Sequence, residues 1–457
     1  MRAIPTLKIS ISGVRGVVGD SLTPELVARF AQAFGTYVGG GRVVIGRDPR
    51  TSGEMVRQAV VAGLASSGCR VSDLGVVPTP TVQLLVRQLG AQGGIAITAS
   101  HNPPEWNALK FVGGDGLFLG AARGRELLDI YHQGAYAKAR GADQRTPERV
   151  TDAVERHVRA VVAGTSPLPA GRRLRVVVDP GGGAATVAAP RLVEALGADV
   201  TAIHTTADGR FPRPAEPVAE NLSALGEAVR AQRADVGFAQ DMDGDRLAVV
   251  DEAGRPIGEE LTLVLAADEA LRRTKGPVVA NLATTDAVDA MAARQGIPVF
   301  RTKVGEANVA EGMRLHRAVI GGEGNGGVIW PAVNFARDSL VGMALVLHRL
   351  AGSALPVSAL AAEYDRFRVV KLQRHCPAEQ GRTVVLRARE AWAGQPVDLT
   401  DGVKVRLEDG WFILRTSNTE PIVRVIAEST TEERARALAE RVLAEVASWS
   451  SDRPSGS

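Results

Sequence analysis

Gly94-Ile95-Ala96-Ile97-Thr98-Ala99-Ser100-His101-Asn102-Pro103 is the stretch on which this chain turns. A short apolar run, closed by polar residues and proline, reads as a buried strand that delivers Ser100 to a turn. Pro103 and Pro104 restrict the loop behind it. A serine hydroxyl is a weak nucleophile, but one held rigid after a strand can start acyl or phosphoryl chemistry. The plainer alternative is a polar turn between two elements. Gly-x-Ser-x-Gly is absent, and seven scattered histidines offer no obvious partner for a hydrolase triad.

Outward from this strand, strand-like runs alternate with helical periodicity. Arg42 to Ile45 ends in Gly46-Arg47-Asp48-Pro49. Thr51 and Glu54 predict a capping box for a helix with Met55, Val56, Ala59, Val60, Gly63 and Leu64 on one face. Cys69 to Leu74 reads as the next strand, and Thr79-Pro80 as the N-cap and first residue of a helix. The rhythm restarts at Leu174 to Asp179, with strands near Val200 to His204 and Val236 to Ala239. It restarts again at Val278 to Asn281, Val299 to Thr302 and Ala318 to Gly321. Three successive α/β units of about 100 residues follow.

From Arg366 the pattern changes. A strand at Phe367 to Leu372 and a helix over Val384 to Trp392 precede a hairpin, Val403 to Leu407 against Trp411 to Leu414, turned by Asp409-Gly410. Thr430 and Glu433 predict the cap of a final helix. The expected architecture is α/β: three consecutive mixed-sheet domains (1–150, 151–254, 255–366) and a smaller α+β domain (367–450), with a tail at 451–457.

The 457 residues carry 54 Lys and Arg against 51 Asp and Glu, interspersed, and aromatics are 4%. Neither a basic tract nor a stacking platform for nucleic acid is present. Cys69 and Cys376 are isolated, as expected of reduced thiols in a cytoplasmic protein. Met1 to Gly19 lacks a continuous apolar segment, so no signal peptide is expected. Runs such as Leu261 to Ala267 are too short to cross a bilayer.

Three further motifs carry chemistry. Asp241, Asp243 and Asp245 follow an apolar run and alternate around Gly244. Such carboxylates suit Mg²⁺ or Ca²⁺, and Mg²⁺ favours a few carboxylates plus phosphate oxygen. Arg246 stands where an EF-hand needs glycine, whereas a phosphatase of the Asp-x-Asp type remains a rival. Gly321-Gly322-Glu323-Gly324-Asn325-Gly326-Gly327 is a glycine-rich loop in which Glu323 and Asn325 can read hydroxyl groups. Arg415-Thr416-Ser417-Asn418-Thr419-Glu420-Pro421, with Arg424 beyond, is dense in anion donors. Pro180-Gly181-Gly182-Gly183 reads as structural, since Gly-x-Gly-x-x-Gly is not completed.

In this order, the four motifs resemble the α-D-phosphohexomutase superfamily, and the resemblance spans nearly the whole chain. It implies four domains around a central cleft, and hexose 6-phosphate and 1-phosphate interconverted through a hexose bisphosphate intermediate. By resemblance Ser100 is the phosphoserine. Asp241, Asp243 and Asp245 match the ligands of one Mg²⁺ per active site, completed by a Ser100 phosphate oxygen. Lys110, Arg15 and Arg246 match basic residues around the reacting phosphate, and His101 belongs to the serine loop. Glu323 and Asn325 match the sugar loop; Arg415, Ser417, Asn418, Thr419 and Arg424 match the distal phosphate site. Asn325 and Gly327 replace the Ser and His of many relatives, and Asn418 replaces a commoner Gly. With Trp106-Asn107-Ala108-Leu109-Lys110, these departures resemble the archaeal-type phosphoglucosamine mutase branch. The expected partner is a small phosphosugar, with no nucleic acid and no membrane, and the expected assembly is a monomer or homodimer.

Overall fold

The computed structural model describes residues 6–10, 13–171, 173–416 and 421–451. Four sheets follow one another along the chain. The first has seven strands in the order Lys8–Ser10, Gly13–Val17, Trp106–Gly113, Gly93–Ile97, Gly41–Arg47, Cys69–Val76 and Glu148–Arg149. Gly41–Arg47 pairs in parallel with both Cys69–Val76 and Gly93–Ile97, whereas Trp106–Gly113 runs antiparallel to Gly93–Ile97. The strand ending before Ser100 is therefore central, and all five of its residues are buried. That accounts for its unbroken apolar run, since a strand covered on both faces has no polar side to show.

The second sheet is ordered Leu247–Val250, Val236–Gln240, Arg175–Asp179 and Asp199–Ala202. The third is ordered Val299–Thr302, Val278–Asn281, Ile320–Glu323, Gly327–Trp330 and Asn334–Arg337. The fourth is antiparallel throughout: Arg368–His375, Ile422–Ser429, Gly410–Thr416, Val403–Leu407 and Val397–Asp398. The first three mix parallel and antiparallel pairs, so the α/β expectation with a smaller α+β unit holds.

Local details differ from expectation. Thr51 and Glu54 form no capping box: the helix Gly53–Ser66 has no side-chain cap, and Glu54 instead binds Arg57 and Gln58. The helix Thr79–Gln88 begins one residue early, with Pro78 at the N-cap. Thr79 thereby becomes free to use its hydroxyl elsewhere. The C-terminal hairpin pairs Leu407 with Gly410, so its loop is Glu408–Asp409 and Gly410 already belongs to the strand. Thr431, not Thr430, accepts the N–H of Arg434 at the start of the last helix.

Apolar packing joins the second and third sheets into one body. Helix Ser339–Ala351 lies against helices Glu259–Arg273, Ala153–Thr165 and Ala188–Leu196, and a single hydrophobic cluster runs from Val158 to Tyr364. The C-terminal sheet has its own core, from Val370 to Val446. It meets the third unit through a small apolar contact (Leu282, Ala283, Trp411, Ile413) and a polar seam. In that seam Glu428 accepts from Trp411 Nε1 at 2.8 Å, from the Asp286 N–H at 3.2 Å and from the Thr285 hydroxyl. Lys404 Nζ stands 3.8 Å above the Trp411 ring and donates to the Leu282 carbonyl at 2.7 Å.

Burial pushes the Glu428 carboxyl up to about 7, and the Lys404 ammonium down to about 8. A carboxyl raised above its ordinary 4.5 binds its proton more tightly when folded. Its stabilising contribution is complete below about pH 4.5 and is lost as pH rises through about 7. Glu428→Gln is expected to flatten the decline in thermal midpoint across that window, as read by scanning calorimetry. An unchanged slope would locate the dependence elsewhere.

Candidate active site

Ser100 has φ +49°, a left-handed conformation that costs a non-glycine residue roughly 1–2 kcal/mol. Arg50 holds it there. Its side chain is fully buried against Asp48 (Nε to Oδ2, 3.0 Å) and donates to four carbonyls of the serine loop. These are Ser100 at 2.8 Å, Asn102 at 2.7 Å, Pro103 at 2.5 Å and Trp106 at 3.0 Å. Asp48 also accepts from the Thr98 hydroxyl at 2.6 Å, and Thr98 Oγ1 in turn accepts the Ser100 N–H at 2.9 Å. Burial raises the Asp48 carboxyl above its ordinary value, with Arg50 and Thr98 opposing.

The three aspartates follow the buried strand Val236–Gln240 and are themselves almost wholly buried. Ser100 Oγ donates to Asp241 Oδ2 at 2.8 Å, and Asp241 Oδ1 accepts the N–H groups of Asp245 and Arg246 at 3.1 Å each. Asp243 Oδ2 accepts from Lys110 Nζ at 2.6 Å and from Thr79 Oγ1 at 2.9 Å. Asp245 Oδ2 accepts from Arg337 Nη2 at 2.5 Å. Asp243 Oδ1 and Asp245 Oδ1 are buried and have no hydrogen-bond partner among the described residues.

One oxygen from each aspartate falls within 4.8 Å of the others. Burial, with Asp243 and Asp245 beside it, drives Asp241 well above the carboxylate range. Burial works on Asp243 in the same direction but is outweighed, chiefly by Lys110, and that carboxyl stays ionised. Buried oxygens converging without donors are what a hard divalent cation satisfies, so the residues fit Mg²⁺. Gly183 lets the loop approach the second sheet: a Cβ there would stand 2.7 Å from the Met242 carbonyl oxygen. The Pro180–Gly183 run is thus structural, as expected.

The basic residues differ in what they face. Arg15, on the strand beside Trp106–Gly113, donates to Asn102 Oδ1 at 2.6 Å. Arg246 pairs with Glu216 at 2.8 Å, while its Nε has no hydrogen-bond partner among the described residues. The Arg246 charge, then burial and Arg15, hold the His101 imidazole down to about 2, so it stays neutral. Its Nδ1 is 3.5 Å from Ser100 Oγ, too far for a firm hydrogen bond.

Glu323 ends the strand Ile320–Glu323 and pairs with Gly327 across the loop. Its Oε1 accepts from Asn281 Nδ2 at 2.7 Å and the Gly305 N–H at 2.8 Å; its Oε2 accepts from Arg337 Nη1 at 2.8 Å. Burial acts to raise this carboxyl, but Arg337 and the other donors hold it below its ordinary value. Asn325 Oδ1 accepts the Gly327 N–H at 3.3 Å. In the fourth sheet Arg415 stands directly opposite Arg424. Like charges facing across a strand pair repel, which suits a site for an anion. Arg415 also reaches Asp401 at 3.0 Å. Ser417, Asn418 and Thr419 lie outside the described residues.

A cleft of about 310 Å³ brings these groups together. His101, Arg246, Glu323, Asn325, Arg415 and Arg424 all line it, one contribution or more from each sheet's unit. Ser100 and the aspartates adjoin it through His101 and Arg246, their chain neighbours. Sequence reading missed Arg50, Thr79 and Arg337. Thr79 looked like a helix cap; for Arg50 and Arg337 no local signal exists.

Four family models match in succession: phosphoglucomutase/phosphomannomutase alpha/beta/alpha domain I over residues 7–138, domain II over 155–254, domain III over 258–367, and the C-terminal domain over 372–445. A Thermococcus kodakarensis protein named phosphoglucomutase/phosphomannomutase is 38% identical, covering 93% of this chain and 95% of its own. A Methanopyrus kandleri protein named "Probable phosphoglucosamine mutase" is also 38% identical, with the same 93% and 95% coverage. The crystal structure of a Burkholderia thailandensis phosphoglucomutase/phosphomannomutase family protein superposes with a TM-score of 0.84 at 28% identity, covering 99% of this chain and 98% of that one. The chain belongs to the phosphoglucomutase/phosphomannomutase family within the α-D-phosphohexomutase superfamily. It is an enzyme, a phosphohexomutase. Among the described residues no helix is long and apolar enough to cross a membrane.

Proposed function

We propose that this phosphohexomutase interconverts hexose 6-phosphate and hexose 1-phosphate by way of phosphorylated Ser100, and that glucosamine phosphate is its preferred substrate. The observation that carries the mechanism is the 2.8 Å contact of Ser100 Oγ with Asp241, in a buried carboxylate group in which two oxygens have no hydrogen-bond partner among the described residues. A hydroxyl buried so deeply beside converging carboxylates has little purpose as a turn residue.

In the first half-reaction the sugar 1-hydroxyl attacks the phosphoryl group on Ser100, the Ser100 Oγ–P bond breaks, and a 1,6-bisphosphate forms. The proton of the 1-hydroxyl passes to Ser100 Oγ. The intermediate turns round, Ser100 Oγ attacks the 6-phosphoryl group, and the sugar O6–P bond breaks. O6 takes the serine proton, and hexose 1-phosphate leaves with Ser100 phosphorylated again. Asp241, Asp243 and Asp245 would hold Mg²⁺, which when bound supplies charge stabilisation to the transferring group. Arg246 adds positive charge at the cleft wall, and Lys110 keeps Asp243 ionised. Neutral His101, with so low a proton affinity, serves as a hydrogen-bonding wall and not as a base. Arg415 and Arg424 take the phosphate that is not reacting, and Glu323 with Asn325 faces the sugar. Because phosphoryl transfer is mostly positioning and charge stabilisation, these roles account for the chemistry.

Two measurements test this. Labelled phosphate from a hexose 1,6-bisphosphate should appear on Ser100 in the active enzyme, and turnover without label ever reaching that oxygen would overturn the relay. Comparison of kcat/KM for glucosamine, mannose and glucose 6-phosphates should favour glucosamine. A strong preference for mannose would overturn the substrate choice and leave the relay standing. The glucosamine assignment is supported by relatives that carry that name and by Asn325 and Gly327 in the sugar loop.

A further inference from the structure

We propose that Arg337 is a positioning residue that locks the cation loop to the sugar loop, and that residue 327 is glycine to leave its side chain room. Arg337 ends the strand Asn334–Arg337, which pairs with Gly327–Trp330 through a bulge at Ile329 and Trp330. Its side chain is 11% exposed and places one nitrogen on each of three buried carboxylates. Nη2 meets Asp245 Oδ2 at 2.5 Å, Nη1 meets Glu323 Oε2 at 2.8 Å, and Nε meets Glu306 Oε2 at 3.2 Å. Glu306 is anchored in turn by Gln83 Nε2 at 2.9 Å, from the first unit. A planar guanidinium can serve three acceptors at once from a fixed fork, which an ammonium cannot.

Space fixes this arrangement. A Cβ on residue 327 would lie 2.4 Å from Arg337 Cδ and 3.0 Å from Cγ, so any side chain there must displace the arginine. The loop is also tied by backbone: the Leu247 N–H, two residues past Asp245, donates to the Gly326 carbonyl at 3.0 Å. Arg337 occupies Oδ2 of Asp245 and leaves Oδ1 without a hydrogen bond, Arg246 Nε standing 3.8 Å from it, just as Lys110 and Thr79 occupy Oδ2 of Asp243 and leave its Oδ1 without one. The arginine thus selects which oxygen of Asp245 is offered to a cation, while the same group orients Glu323. Binding at the two loops is then thermodynamically coupled, and the coupling is reciprocal.

The sugar half rests on the function proposed above; the cation half does not. The test uses full-length unphosphorylated enzyme and Mn²⁺ as the probe, titrated calorimetrically with and without glucosamine 6-phosphate. Wild type is expected to bind Mn²⁺ several-fold more tightly when the sugar phosphate is present. Arg337→Met should weaken Mn²⁺ alone by roughly 10-fold or more, the usual loss when a partner of a metal ligand is removed, and should bring the coupling factor near one. Arg337→Lys should fail to restore either.

Since Arg337→Met leaves buried carboxylates uncompensated, it is also made with Glu306→Gln. Gly327→Ala, which keeps the arginine but crowds it, should reproduce the loss if neither of those folds. Wild-type Mn²⁺ affinity and coupling in folded variants would overturn the proposal. Weakened Mn²⁺ binding with coupling intact would overturn the bridge between the loops. If wild type binds none of the hexose phosphates, the functional reading fails, and the Mn²⁺ measurement alone still judges the role of Arg337 at the cation loop.

Discussion

Ser100→Ala is expected to lower hexose-phosphate turnover by on the order of 10⁴- to 10⁶-fold, the scale on which enzymes lose rate when a covalent nucleophile is removed. Stability should change by only about 1 kcal/mol, because the variant gives up one hydrogen bond, Ser100 Oγ to Asp241, and keeps every Arg50 contact to the loop. Steady-state kinetics with a bisphosphate activator and urea unfolding of the same preparation check both halves. A phosphatase working through an aspartate would retain its hydrolytic rate in this variant. Retained turnover would therefore sink the serine relay in favour of that chemistry.

Arg50→Met should do the opposite and unfold the site along with the activity. The change leaves Asp48 buried beside no cation and four carbonyls of the serine loop without their donor. Breaking a buried ion pair from one side costs about 3–5 kcal/mol. Turnover should collapse as well, because among the described residues no other side chain donates to as many carbonyls of the loop that carries the left-handed Ser100. Adding Asp48→Asn removes the orphaned charge and should recover much of the stability but little of the rate. Full activity in Arg50→Met would mean that the loop is held by its prolines instead.

How much of this was legible in the sequence depended on the range of the interaction. Ser100 was readable because a buried strand announces itself in an apolar run and the serine follows directly. The three aspartates were readable because like charges so close together demand a cation. Arg415 and Arg424 were readable as a pair, though their direct opposition came only with the strand register. Thr79 was misassigned for a physical reason: threonine before proline is a good helix cap, and its true acceptor, Asp243, is 164 residues away. The capping box at Thr51 failed because Glu54 found the Arg57 guanidinium, a stronger partner than a backbone N–H. Arg337 was invisible because its acceptors lie in a separate loop, helix and strand, and because glycine at 327 looks like flexibility when it is an absence of bulk.

The polar seam beneath the C-terminal unit bears on the turn that the mechanism proposed above asks of its bisphosphate. Parting two oily surfaces exposes them to water at full hydrophobic expense. Parting a carboxylate from a hydroxyl and an amide merely trades one set of hydrogen bonds for another. The unit that carries Arg415 and Arg424 has its own core, so what ties it to the third unit is the small apolar contact, the Glu428 and Lys404 hydrogen bonds, and the ion pairs Lys371–Glu260 and Arg406–Asp286. Water can replace each of these polar ties, whereas the second and third units are joined by one continuous apolar cluster that it cannot.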